Sequence, residues 1–132
     1  MGEKEIRFTP RELDIMAVLW TRGPSTVAEV QAALEDELAY NTVLTMLRIL
    51  EGKGHVSRSP EGRAHRYKAE VERAAAGESA LERVTERLFG GSPEKLLVHL
   101  VDSELDPDEL RRMRDLLDRR LRDLQRNVEE DE

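Results

Sequence analysis

The stretch AYNTVLTMLRILEGKGHVSRSPEGRAHRYKAE, residues 39–70, changes period part-way along, and that change decides the fold. In its first half Val43, Met46, Leu47 and Leu50 recur at i, i+3, i+4 and i+7, which places apolar side chains on one face of a helix. Asn41, Thr42, Thr45 and Arg48 fall on its other faces. Gly52 and Gly54 end it, because glycine readily takes the left-handed conformation of a C-cap. Beyond them, short runs of polar, β-branched and aromatic residues flank Pro60-Glu61-Gly62, a turn signal, so residues 55–58 and 64–68 read as the strands of a hairpin.

Upstream, TPRELDIMAVLWTR (residues 9–22) spells a helix start: Thr9 as cap, Pro10 in the first helical position and Glu12 closing a capping box. Leu13, Met16, Ala17 and Trp20 follow at helical spacing, and Gly23-Pro24 stops the element. Ser25 or Thr26 then caps a second helix, VAEVQAALEDEL, with Val27, Val30, Ala33 and Leu34 on one side. Three helices followed by a hairpin is the order of a winged helix-turn-helix, in which the third helix enters the DNA major groove and the hairpin lies against the backbone.

Downstream, residues 71–77 are Ala-rich and read as loosely helical. SALERVTERLFGG places Leu81, Val84 and Leu88 on one stripe before Gly90-Gly91. Ser92-Pro93 opens a fifth helix carrying Leu96, Leu97, Leu100 and Val101, and Asp106-Pro107 opens a sixth. Along the sixth, Leu110, Met113, Leu117, Leu121, Leu124 and Val128 form one seam, with Arg and Asp alternating around the remainder. Such short helices, in a chain with only 4% aromatic residues, bury little by themselves, so a second copy is expected to cover them. The expected class is mainly α, with a winged-helix DNA-binding domain over residues 1–70 and a helical dimerisation region over 71–132. Its interface residues are Leu96, Leu97, Leu100, Leu110, Met113, Leu117, Leu121 and Leu124.

Charge follows the same division. The chain of 132 residues carries 21 basic and 28 acidic side chains, a net charge of −7. Residues 1–70 hold 10 Lys/Arg against 11 Asp/Glu, whereas 71–132 hold 11 against 17. Within the first part, residues 40–68 carry six Lys/Arg and only Glu51 and Glu61, a local excess of +4. An acidic protein thus keeps one basic surface, where phosphate attraction can act. With no cysteine, a disulfide, thiolate metal site or cysteine nucleophile is excluded. His55, His65 and His99 are too scattered for a metal motif, and no triad or Gly-rich phosphate loop is present. No enzyme, metal or cofactor is expected. The start, MGEKEIRFTPRE, has no apolar export signal and no membrane-length apolar run occurs, so no membrane insertion and a cytoplasmic location are expected.

The candidate DNA-binding residues are Tyr40, Asn41, Thr42, Thr45, Arg48, Arg58, Arg63 and Arg66. Small polar groups reach base edges without holding a helix out of the groove: Asn41 can pair with adenine, while Thr42 and Thr45 can donate to phosphate or touch a thymine methyl. Arg48 can bridge to phosphate or guanine. The three hairpin arginines are expected at or near the turn, where guanidinium groups can clamp phosphates or enter a narrow minor groove.

These segments together resemble the BlaI/MecI-type penicillinase repressors, a family that also takes in CopY-type copper-responsive repressors. The resemblance runs from about Phe8 to Leu121 through TPRELDIMAVLW, AYNTVLTMLRILEGKGHV, EGRAHRY and LFGGSPEKLLVHLVDSELDPDELRRMRDLL. It implies a dimeric repressor on an inverted-repeat, double-stranded DNA operator. It also implies induction through a membrane-bound sensor metalloprotease and cleavage in the dimerisation region. Thr42 and Thr45 fall where the family's recognition helix carries threonines, and Gly62-Arg63 matches the wing's Gly-Arg pair. The best-known members are cut at an Asn-Phe bond, where this sequence has His99-Leu100. The copper-responsive mode, which needs a C-terminal cysteine cluster, is excluded. Two other readings share the architecture: a ligand-gated regulator of the MarR kind, and a winged helix used as a protein-interaction module.

Overall fold

The computed structural model describes residues 6–131. The first five residues, part of the start read as lacking an export signal, and Glu132 of the acidic end lie outside them. The elements run α1 (Pro10–Arg22), β1 (Ser25–Thr26), α2 (Val27–Ala33), α3 (Tyr40–Gly52), β2 (Val56–Glu61), β3 (Ala64–Ala69), α4 (Arg73–Leu88), α5 (Pro93–Val101) and α6 (Pro107–Asp131). The fold is mainly helical, a winged helix followed by further helices.

α1 begins as its sequence dictates. The Thr9 hydroxyl accepts from the Glu12 N–H at 3.1 Å and Glu12 Oε1 accepts from the Thr9 N–H at 2.8 Å. Glu12 is only 4% exposed, and its carboxylate also accepts from Lys53 Nζ at 2.9 and 3.1 Å, joining the start of α1 to the end of α3. Burial pulls this carboxyl's pKa up. Hydrogen bonds from the Thr9 N–H and Lys53, the Lys53 charge and the Thr9 hydroxyl outweigh that and hold it below the ordinary 4.5. A depressed carboxylate stabilises the fold above its unfolded pKa and loses that contribution as pH falls through the folded value. Glu12→Ala should therefore cost about 1–2 kcal/mol at neutral pH, discounted because Lys53 is 43% exposed. The deficit should shrink below pH 4.5 in urea titrations. A pH-independent deficit would show that the charge contributes nothing.

α2 is shorter than expected. It ends at Ala33 instead of running to Leu38, and Leu34 is extended with ψ 139°. Glu35, Asp36 and Glu37 would place three negative charges at a helix C-terminus, against the macrodipole. In the extended course Leu34 and Leu38 pack on the core, the Gln31 side chain donates to the Leu38 carbonyl and Arg11 pairs with Asp36. α3 closes on Gly54, with φ 82°, while Gly52 is still helical. His55 N–H reaches the Leu50 carbonyl and Gly54 N–H that of Glu51, a Schellman pair.

The sheet order is β1-β3-β2, antiparallel throughout. Both hairpin strands run further toward the turn than expected: Pro60 sits opposite His65 and Glu61 opposite Ala64, leaving Gly62-Arg63 as a two-residue turn. Pro60 is tolerated inside β2 because that strand lies at the sheet edge, where a missing N–H breaks no ladder. Gly62, with φ 62°, takes the first position of the turn, where glycine suits a two-residue hairpin loop. The short β1 pairs Ser25 with Tyr67 and Thr26 with Arg66. Ile15, Met16, Leu19, Val27, Val30, Val43, Leu47, Leu50, Val56 and Tyr67 form the core.

α4 begins at Arg73, before the point where helical patterning becomes clear, because Ala74, Ala75 and Ala76 favour helix and Ala76 is buried. Trp20 Nε1 donates to the Val71 carbonyl, and Ser79 and Arg83 donate to that of Ile6, tying this end of α4 to the winged helix. The chain divides into two compact units after Arg83, inside α4 and beyond the expected boundary at residue 70. The second unit holds the end of α4, α5 and α6. Neither α5 nor α6 contains a buried residue.

Candidate nucleic-acid interface

With about 3.6 residues per turn, the buried side of α3, Val43, Leu47 and Leu50, fixes which residues face away. Asn41, Thr45 and Arg48 fall opposite it, with Thr42 beside them, and all four are exposed. Tyr40 is exposed at the start of the helix, on the flank that continues through Leu44. No side chain caps this helix start, whose N-cap is Ala39, so the positive end of the helix dipole is uncovered.

The hairpin arginines do not gather at the turn as expected. Only Arg63 sits there, exposed at the tip. Arg58, opposite Tyr67 in mid-hairpin, points to the α3 side and its Nε lies 3.2 Å from Glu51. Arg66 lies on the other sheet face, donating to the Pro24 carbonyl at 2.9 Å and pairing with Glu29 at 3.1 Å and Glu61 at 2.7 Å. Hydrogen bonding to Glu61, helped by the Glu29 charge, outweighs desolvation and raises the Arg66 pKa. The difference is physical: sequence displays the charge of Arg66 but not the carboxylates that folding brings to it.

This pairing concentrates the basic excess. Glu51 and Glu61 are taken up by Arg58 and Arg66, and Lys53 by Glu12. Arg48 and Arg63 have no ion pair or hydrogen bond among the described residues. They line one cleft between α3 and the wing, together with Tyr40, Leu44 and His65. An uncompensated guanidinium pair beside a polar helix face is suited to phosphate oxygens and base edges. His65 was missed by sequence reading because nothing local separates a wing residue facing α3 from any other solvated histidine.

Of the expected dimer residues, Leu97, Leu100, Leu110, Leu117, Leu121 and Leu124 are exposed, and Leu96 and Met113 are half-buried. Leu88, Val98, Leu116 and Val128 add to the exposed apolar surface. His99 and Leu100 lie inside α5, with the His99 ring edge-on to Phe89 at 5.6 Å.

Among the described residues, no helix is long and apolar enough to cross a membrane, and no cluster of three His, Asp or Glu could hold a metal ion.

Comparison with known proteins bears on the fold and the family. The penicillinase repressor family model matches residues 8–119. Transcriptional regulator BlaI of Mycobacterium tuberculosis is 36% identical over 105 residues, covering 75% of each chain. Among solved structures, a MarR family protein from Bacillus stearothermophilus superposes with a TM-score of 0.53 at 20% identity, over 93% of this chain and 76% of that one. A MarR mutant from E.coli complexed with operator DNA gives 0.51 at 19%, over 86% and 76%. At those identities the two structures speak for the fold alone. The family match runs from before α1 into α6, and with the BlaI relative it shows that the chain belongs to the penicillinase repressor family of transcriptional regulators.

Proposed function

We propose that the protein is a homodimeric repressor that lays two α3 helices into successive major grooves of a palindromic operator, about 34–36 Å apart. The observation that carries this reading is the outward face of α3, Asn41, Thr42, Thr45 and Arg48, beside the one wing arginine at the turn. Asn41, Thr42 and Thr45 meet base edges or nearby phosphates, Arg48 reaches guanine or phosphate, Tyr40 flanks the groove and Arg63 meets the backbone. Arg58 and Arg66 hold the wing in place through Glu51, Glu29 and Glu61, and reach DNA only by exchanging those partners. The apolar stripe of α5 and α6 supports a second copy as its cover, since soluble monomers rarely leave such a surface bare.

Release by a membrane-bound sensor metalloprotease would fall at His99–Leu100, which differs from the Asn-Phe bond cut in the best-known members, so such a protease would need a different bond preference here. A protease needs extended chain, so α5 must open first: in a single copy it holds no buried residue, and in the dimer its opening also uncovers the apolar stripe that the second copy covers. Cleavage there would separate α6 from the winged helix.

Footprinting with the full chain tests the reading and should protect two half-sites related by a dyad. Arg63→Ala should weaken binding to all sequences and lower the slope of log K against log salt by about one unit. Arg66→Ala should leave the slope unchanged and lower stability instead. Equal slopes for Arg63→Ala and the parent would remove the wing tip from the DNA interface.

A further inference from the structure

We infer that Ile49 is a specificity residue that reads the methyl group of a thymine in each half-site. The inference rests on the reading of α3 as the groove helix. Ile49 is 47% exposed, although the buried face of α3 is already filled by Val43, Leu47 and Leu50. Thr45, Arg48, Ile49 and Gly52 stand at i, i+3, i+4 and i+7, the spacing by which a helix lying along a major groove presents its reading face. Gly52 has no side chain and open space around it, so it adds no bulk between the last turn and DNA. Ile49 is thus a large aliphatic side chain on a face otherwise made of hydroxyl, amide and guanidinium groups.

Major-groove edges offer donors and acceptors at every base pair, and an aliphatic side chain leaves them unsatisfied. The one apolar feature there is the C5-methyl of thymine. Contact with it shields both groups from water, whereas guanine, adenine or cytosine at that position would lose water-accessible polar atoms against a hydrocarbon. Ile49 therefore discriminates through burial, where Asn41 and Arg48 discriminate through hydrogen bonds.

The test is removal of the methyl alone. Duplexes enriched from a random pool by the full chain supply the operator, and each thymine is then replaced singly by uracil, which pairs identically but lacks the methyl. Wild-type protein should lose about fourfold in affinity at one thymine of each half-site, the worth of one buried methyl-sized group. Ile49→Ala should bind the parent operator more weakly and lose the response at that thymine, while Ile49→Val should keep it. Thr42 and Thr45 also carry methyls, so undiminished uracil sensitivity in Ile49→Ala would assign the contact to one of them and overturn the inference. Insensitivity of the wild type at every thymine would also overturn it while leaving the repressor reading intact. Failure to enrich any duplex would remove both. Being exposed, Ile49 can be replaced without unfolding the chain, and thermal melting of each variant confirms this.

Discussion

Leu117→Asp should yield a folded single chain that binds a full operator at least about 100-fold more weakly, yet binds an isolated half-site like the parent. Leu117 is 52% exposed in the chain by itself, and α6 holds no buried residue, so a carboxylate there does not disturb the fold of one copy. It does disturb association, because burying an unpaired carboxylate against Leu110, Leu121 and Leu124 of a second copy costs several kcal/mol. Once the copies part, each winged helix must find DNA independently. The second docking step is then no longer intramolecular, and the avidity of about 10²–10⁴ is lost without any DNA contact being touched. Arg119→Ala, on the opposite side of α6, should change neither assembly nor affinity. Sedimentation and titration against full and half operators separate these outcomes. Parental affinity for the full site from a sedimenting single chain would end the dimer model.

Unequal parts of this arrangement were legible in sequence, for reasons that differ from element to element. The start of α1 was written out because a capping box is a local device, complete within Thr9 to Glu12. The inner face of α3 was legible because burial imposes a 3.6-residue period, and Val43, Leu47 and Leu50 kept it. Features decided by distant partners were not. The early end of α2 depends on an acidic run better placed off a helix and on Asp36 meeting Arg11. The short β1 exists only because β3 offers Tyr67 and Arg66 as partners. Pro60-Glu61-Gly62 is turn-like in composition, but the edge position of β2 let Pro60 stay in the strand and moved the turn to Gly62-Arg63. Ile49 escaped because an apolar residue on a helix is normally assigned to the core, and only its exposure separates it from its neighbours.

The same division of labour along α3 sets the second large effect. Leu47→Ala should destabilise the winged helix by about 2–5 kcal/mol, a large fraction of what a domain of this size possesses. Leu47 is fully buried in the cluster with Ile15, Met16, Leu19, Val30, Val43, Leu50, Val56 and Tyr67, drawn from α1, α2, α3 and both hairpin strands. Truncation leaves a cavity that none of these elements closes without breaking its own packing, so the cost falls toward the upper part of the range. Leu47→Met, which nearly conserves volume, should cost less than about 1.5 kcal/mol. Trp20, the single tryptophan, packs against this core and donates to the Val71 carbonyl, so its fluorescence reports on the winged helix. Thr45→Val, two residues away but on the outward side, should leave that transition in place while altering which operator is preferred. If Leu47→Ala melted with the parent while Thr45→Val melted early, the two faces of α3 would be exchanged. The assignment of its polar side to DNA would fall with them, since one rotation of the helix fixes both.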